Sequence, residues 1–106
     1  MEKVKVRVSV PKEMSQALDK LATKLSFNNS VTRIANAVEY ALVRGLPRVN
    51  RIYQPPKGAG FAHPTLPVDI VKKLESLETK HQASSIASVG YTALVLGLES
   101  LGVEYG

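Results

Sequence analysis

The sequence predicts a mainly α-helical fold with a short antiparallel β-ribbon, made of two strand–helix–helix units that share one core. Three observations predict it. A strictly alternating strand opens the chain, two amphipathic helical stretches follow, and the pattern then recurs beyond a proline- and glycine-rich link. The chain has 106 residues, and a unit of about 45 residues is marginal by itself. Fusing two apolar faces into one core is the expected solution.

The elements follow in order. Residues 3–10, KVKVRVSV, put Val4, Val6, Val8 and Val10 on one face and Lys3, Lys5, Arg7 and Ser9 on the other, the pattern of a half-buried strand. In residues 11–25, Met14, Leu18, Leu21 and Leu25 fall at helical spacing. Pro11 suits the helix start, where a missing N–H costs nothing, and Glu13 lies near the positive end of the helix dipole. Asn28 and Asn29 suit a tight turn, and Ser30 is placed to cap a second helix over residues 34–46. Gly45 is expected to end that helix as a C-cap.

Residues 47–60, PRVNRIYQPPKGAG, have the composition of a linker. Fully extended they could reach about 46 Å, enough to cross a small domain. Beyond them the first unit repeats. PVDIVKKLESLETKH at 67–81 matches 11–25 with an offset of 56, and IASVGYTALVLGL at 86–98 matches 34–46 with an offset of 52. The change of offset places a four-residue deletion in the second interhelical turn. The expected organisation is a first unit at 1–46, a link at 47–60, a degenerate second unit at 61–98 and a tail at 99–106. Its strand, FAHPTL, has Pro64 where the first copy has Val8, which confines it to an edge or a short ribbon.

Charge is unevenly spread. Residues 1–53 hold ten Lys/Arg against four Asp/Glu, and residues 54–106 hold four against five. A polyanionic partner for the first half is the natural implication. With no cysteine and only His63 and His81 as histidines, neither a disulfide framework nor a metal site is expected. No serine has a histidine and an aspartate arranged around it, and Gly58 and Gly60 do not form a phosphate-binding loop. An enzyme is therefore not expected, nor a cofactor. No stretch approaches the roughly 20 apolar residues of a membrane span, and nothing at the start resembles a signal peptide. A cytoplasmic protein is expected.

KVRVSVPKEM followed by NNSVTRIANAVEYAL resembles the ribbon-helix-helix family of DNA-binding proteins. The resemblance implies that two units pair their strands into an antiparallel ribbon above a core of four helices. Polar ribbon side chains then enter the major groove, and the start of the second helix grips a phosphate. Carried over, the base-reading positions are Lys5, Arg7 and Ser9. The corresponding positions in the second copy are Phe61, His63 and Thr65, with His63 and Thr65 as the candidate readers. The phosphate positions are Ser30 with the amides of Val31 and Thr32, supported by Arg33 and by Lys3. In the second copy they are Ser84 as cap, with Ser85 as the other candidate. Physical chemistry supports the assignment independently. A two-stranded ribbon fits the major groove, lysine and arginine reach guanine O6 and N7, and a helix start presents unpaired N–H groups.

The expected function is sequence-specific binding of double-stranded DNA, with transcriptional repression as its use. The alternatives are an antitoxin-like module with a small protein partner, or a conjugation or architectural DNA-binding accessory protein. Two architectures are open. The chain is either a monomeric pseudo-dimer whose strand 3–10 pairs with 61–66, or a homodimer that pairs its first copies.

Overall fold

The alternating N-terminal strand needs a partner for its backbone. In the computed structural model, which describes residues 2–29 and 32–103, it finds one within the same chain. β1 (Lys3–Lys5) runs antiparallel to β4 (Thr65–Pro67), and β2 (Val8–Val10) to β3 (Gly60–Ala62). Lys5 faces Thr65 in the first ladder and Val8 faces Ala62 in the second. Val6–Arg7 and His63–Pro64 lie between the ladders, two residues on each strand, so the register carries through and Arg7 stands opposite His63. The interruption has a covalent cause. Val6 N–H donates to the Pro64 carbonyl at 2.9 Å, but the return bond would need an N–H that proline lacks.

Each strand feeds a helix through a proline. α1 (Lys12–Lys24) follows Pro11 and buries Met14, Ala17, Leu18, Leu21 and Ala22. α3 (Val68–His81) follows Pro67 and buries Ile70 and Leu74. The two helices end alike. Ser26 and Gln82 adopt left-handed backbone, with φ of 60° and 52°. Just beyond them, Phe27 N–H donates to the Ala22 carbonyl at 2.9 Å, and Ala83 N–H to that of Glu78 at 3.0 Å. This is the bond of a Schellman ending, usually built on glycine.

α2 (Arg33–Gly45) and α4 (Ile86–Ser100) make the most extensive contact in the molecule. α4 is buried without a break from Ala87 to Leu98. The expectation that Gly45 ends its helix as a C-cap is corrected here. Gly45 is helical, with φ −81° and ψ −24°, and α4 continues through the matching Gly97 to Ser100. Both glycines serve close approach instead. A Cβ on Gly45 would overlap the Ala93 carbonyl, and one on Gly97 would overlap that of Ala41. The left-handed glycine that follows α4 is Gly102, with φ 73°.

The ribbon rests on α4, with α3 beside it. Val8 is fully buried, and a Cβ on Gly90 would come within 2.8 Å of its methyl carbon. The link is docked along part of its length. A single 3-10 turn (Leu46–Arg48) leads into Val49, Ile52 and Tyr53, which pack half-buried on the core. Tyr53 N–H donates to Thr92 Oγ1 at 2.9 Å, and the Thr92 hydroxyl donates to the Ser88 carbonyl at 3.0 Å. The architecture is thus mainly helical, with short antiparallel strands. Among the described residues no helix is long and apolar enough to cross a membrane.

Candidate nucleic-acid interface

Alternation divides the ribbon into an inner and an outer face. Val6, Val8, Pro64 and Leu66 are buried, whereas Lys3, Lys5, Arg7, Phe61, His63 and Thr65 are exposed. Two positions depart from the sequence reading. Val4 is 41% exposed, whereas Leu66, its partner in the first ladder, is fully buried. Ser9 is 5% exposed and is withdrawn as a base reader. Its hydroxymethyl group is short and lies across the ribbon from the bulky Phe61, so it presents almost nothing to a partner.

The centre of the outer face is organised around Arg7. Its guanidinium carbon lies 3.9 Å above the centroid of the Phe61 ring. A guanidinium laid flat on such a ring keeps its N–H edges free to donate. Lys3 approaches Glu39 of α2 at 4.0 Å. Both groups are substantially exposed, so the pair holds lysine only weakly.

A groove of about 400 Å³ runs beside the ribbon and brings Lys5 and Arg7 together with Glu75 of α3 and Ser85, Ile86 and Ala87 at the start of α4. Ser85 is the N-cap: its Oγ accepts the Ser88 N–H at 3.3 Å. This corrects the preference for Ser84, whose hydroxyl lies 3.3 Å from that of Ser88. Ile86 and Ala87 follow the cap, and N–H groups at such positions have no partner inside the helix. Two cations and a helix start therefore share one groove, with Glu75 opposing them from α3. No family model, curated protein or solved structure matches the chain.

The start of α2 is different. Ser30 and Val31, assigned to cap and phosphate binding, lie outside the described residues. The Thr32 N–H is already engaged, donating to Asn29 Oδ1 at 3.3 Å. Arg33 is engaged on the protein: its guanidinium pairs with the Asp19 carboxylate and donates to Thr23 Oγ1 at 3.0 Å, both on α1. Thr32 and Arg33 thus each have a protein partner that a phosphate would have to displace. The sequence reading placed Asn29 in this turn but did not name its side-chain bond to the Thr32 N–H. It named Phe61 only as an outward position, without the stack that gives the ring its place. An Asn three residues before a helix N-cap is a legible signal. The Phe61 contact needs the register. Among the described residues there is no group of three or more His, Cys, Asp or Glu suited to a metal ion.

Proposed function

We propose that the chain is two ribbon-helix-helix units fused as an intrachain pseudo-dimer, and that it binds double-stranded DNA by laying the outer face of its ribbon in the major groove. The observation that carries this reading is the two-sided ribbon. Its outer face exposes Lys3, Lys5, Arg7, His63 and Thr65, while the opposite face buries Val6, Val8, Pro64 and Leu66. A two-stranded ribbon fits the major groove, about 12 Å wide, and bidentate arginine is the commonest specific contact to guanine. Arg7 and Lys5 read bases, with His63 and Thr65 beside them. The start of α4 and Lys3 meet phosphates, which position the protein without specifying sequence. Occupation of promoter DNA by such a unit represses transcription.

Because both strands come from one chain, the two halves of the ribbon differ. Lys5 and Thr65 occupy one side of the Arg7–His63 pair, and Ser9 and Phe61 the other. The bound site is then not a palindrome, unlike the site of a symmetric dimer. The test is selection from random duplexes, followed by titration of selected and scrambled DNA at two salt concentrations, with the mass of the complex measured by light scattering. The expected result is one chain on a non-palindromic site, with affinity falling steeply as salt rises. Equal affinity for both DNAs, or no binding in low salt, overturns the reading.

A further inference from the structure

We infer that Phe61 and Arg7 act together as a reader of a guanine flanked by a 5-methylpyrimidine, with Phe61 contacting the methyl group. The inference rests on the major-groove reading above and specifies which sequences that groove accepts.

Phe61 is anomalous where it stands. It is one of two large hydrophobic residues exposed among the described residues, at 45%, and it lies on the polar face of the ribbon. Its ring cannot donate or accept a conventional hydrogen bond, so facing a polar base edge would strip water from that edge without replacement. The major-groove edges of adenine, guanine and cytosine are polar. Only the C5-methyl of thymine, or the same group on a methylated cytosine, offers an apolar contact there.

The geometry then fixes where that contact falls. An arginine that forks onto guanine O6 and N7 lies close to the plane of its base pair. The Phe61 ring is stacked 3.9 Å from the Arg7 guanidinium carbon, and successive base pairs rise by about 3.4 Å. With Arg7 level with a guanine, Phe61 is level with the neighbouring base pair. The ring therefore does two things. It holds the guanidinium in one orientation before DNA arrives, and it tests the next base pair for a methyl group.

The experiment uses the full chain and a selected duplex in which the pyrimidine beside the Arg7 guanine is thymine, uracil, cytosine or 5-methylcytosine. Thymine against uracil isolates the methyl, and 5-methylcytosine against cytosine asks whether the methyl alone is read. The parent should prefer each methylated base by about fourfold, the effect of burying one methyl group. Phe61→Ala should bring both ratios to about one, and Phe61→Leu should keep part of them. Equal parent affinity for thymine and uracil on a site that is otherwise bound specifically overturns this inference and leaves the groove reading standing. So does a selected site with no methyl-bearing neighbour to its guanine. Failure of the parent to discriminate selected from scrambled DNA overturns both.

Discussion

Replacing Gly97 with alanine tests the crossing of α2 and α4. A Cβ at Gly97 would overlap the Ala41 carbonyl, and one at Gly45 would overlap the Ala93 carbonyl and lie 2.7 Å from the Gly97 nitrogen. Ordinary contacts at such positions are 3.4–4 Å. The obstacles are backbone atoms, which cannot rotate aside, so the helices must part. A gap of about 1 Å forfeits roughly half of each contact's attraction, and here it opens along the largest interface of the molecule. Overpacking costs about 1–3 kcal/mol, and this case belongs at or above the upper end. Exchanging a helical glycine for alanine returns about 1 kcal/mol of propensity. The net expectation is a loss of about 2–3 kcal/mol, a fall in Tm of the order of 10 °C for a domain of this size. Gly45→Ala should do the same. The double variant should cost less than the sum, because helices already parted for one methyl accommodate the second. Urea unfolding followed by circular dichroism measures this as a lower midpoint at constant slope. A raised Tm for either single variant, the outcome propensity alone predicts, would refute the close crossing.

Three further outcomes follow from the same contacts. Val8→Lys should unfold the protein by burying an unpaired ammonium against α4, whereas Val4→Lys, at the exposed end of the ribbon, should leave the circular dichroism spectrum and melting curve intact. Ser26→Gly and Gln82→Gly should each stabilise by about 1 kcal/mol, since left-handed backbone costs a residue with a side chain about that much; unchanged midpoints would remove the strain assigned to both helix ends. On a selected DNA site, Arg7→Ala should cost about 1–3 kcal/mol and Arg33→Ala clearly less, because Arg33 is held by Asp19 and Thr23 of α1. An anisotropy titration at matched salt decides this, and equal losses would return Arg33 to the interface.

Local pattern carried the elements, and contacts remote in sequence carried the departures. Alternation from Lys3 to Val10, the proline before each first helix and the recurrence of ALVxGL were legible because each is set by near neighbours. Gly45 and Gly97 were legible as special but not as to why. A glycine near the end of an apolar run suits a C-cap as well as a crossing, and only the path of the other helix separates the two. Arg33 looked like a free cation because its partner lies 14 residues back, on the preceding helix. Ser9 obeyed the alternation and was still covered, since alternation says which way a side chain points but not what lies across the ribbon from it. Lys5 and Arg7 remained outward for the same local reason that made them candidates.

On the proposed two-copy reading, fusion changes what the centre of the ribbon can hold. In a symmetric pair of first-copy strands with this register, Arg7 would face a second Arg7. Pairs of this parity alternate with the hydrogen-bonded Val6–Pro64 pair, so their side chains are the closely spaced ones, and like charges placed directly opposite are destabilising. The second copy breaks that constraint. The repeat offset of 56 puts His63 in the place of the second Arg7 and Phe61 in the place of the second Lys5. Two cations near Arg7 are thereby replaced by a weaker base and an aromatic face, and the guanidinium settles 3.9 Å above that face. Pro64 takes the place of a second Val8 and forfeits a ladder bond on only one of the two strands, because Val6 N–H still reaches its carbonyl. A mutation in a homodimer is always made twice, whereas here each half of the ribbon changes alone. On the proposed reading, one half therefore keeps the charge offered to DNA while the other supplies the aromatic surface on which the guanidinium rests.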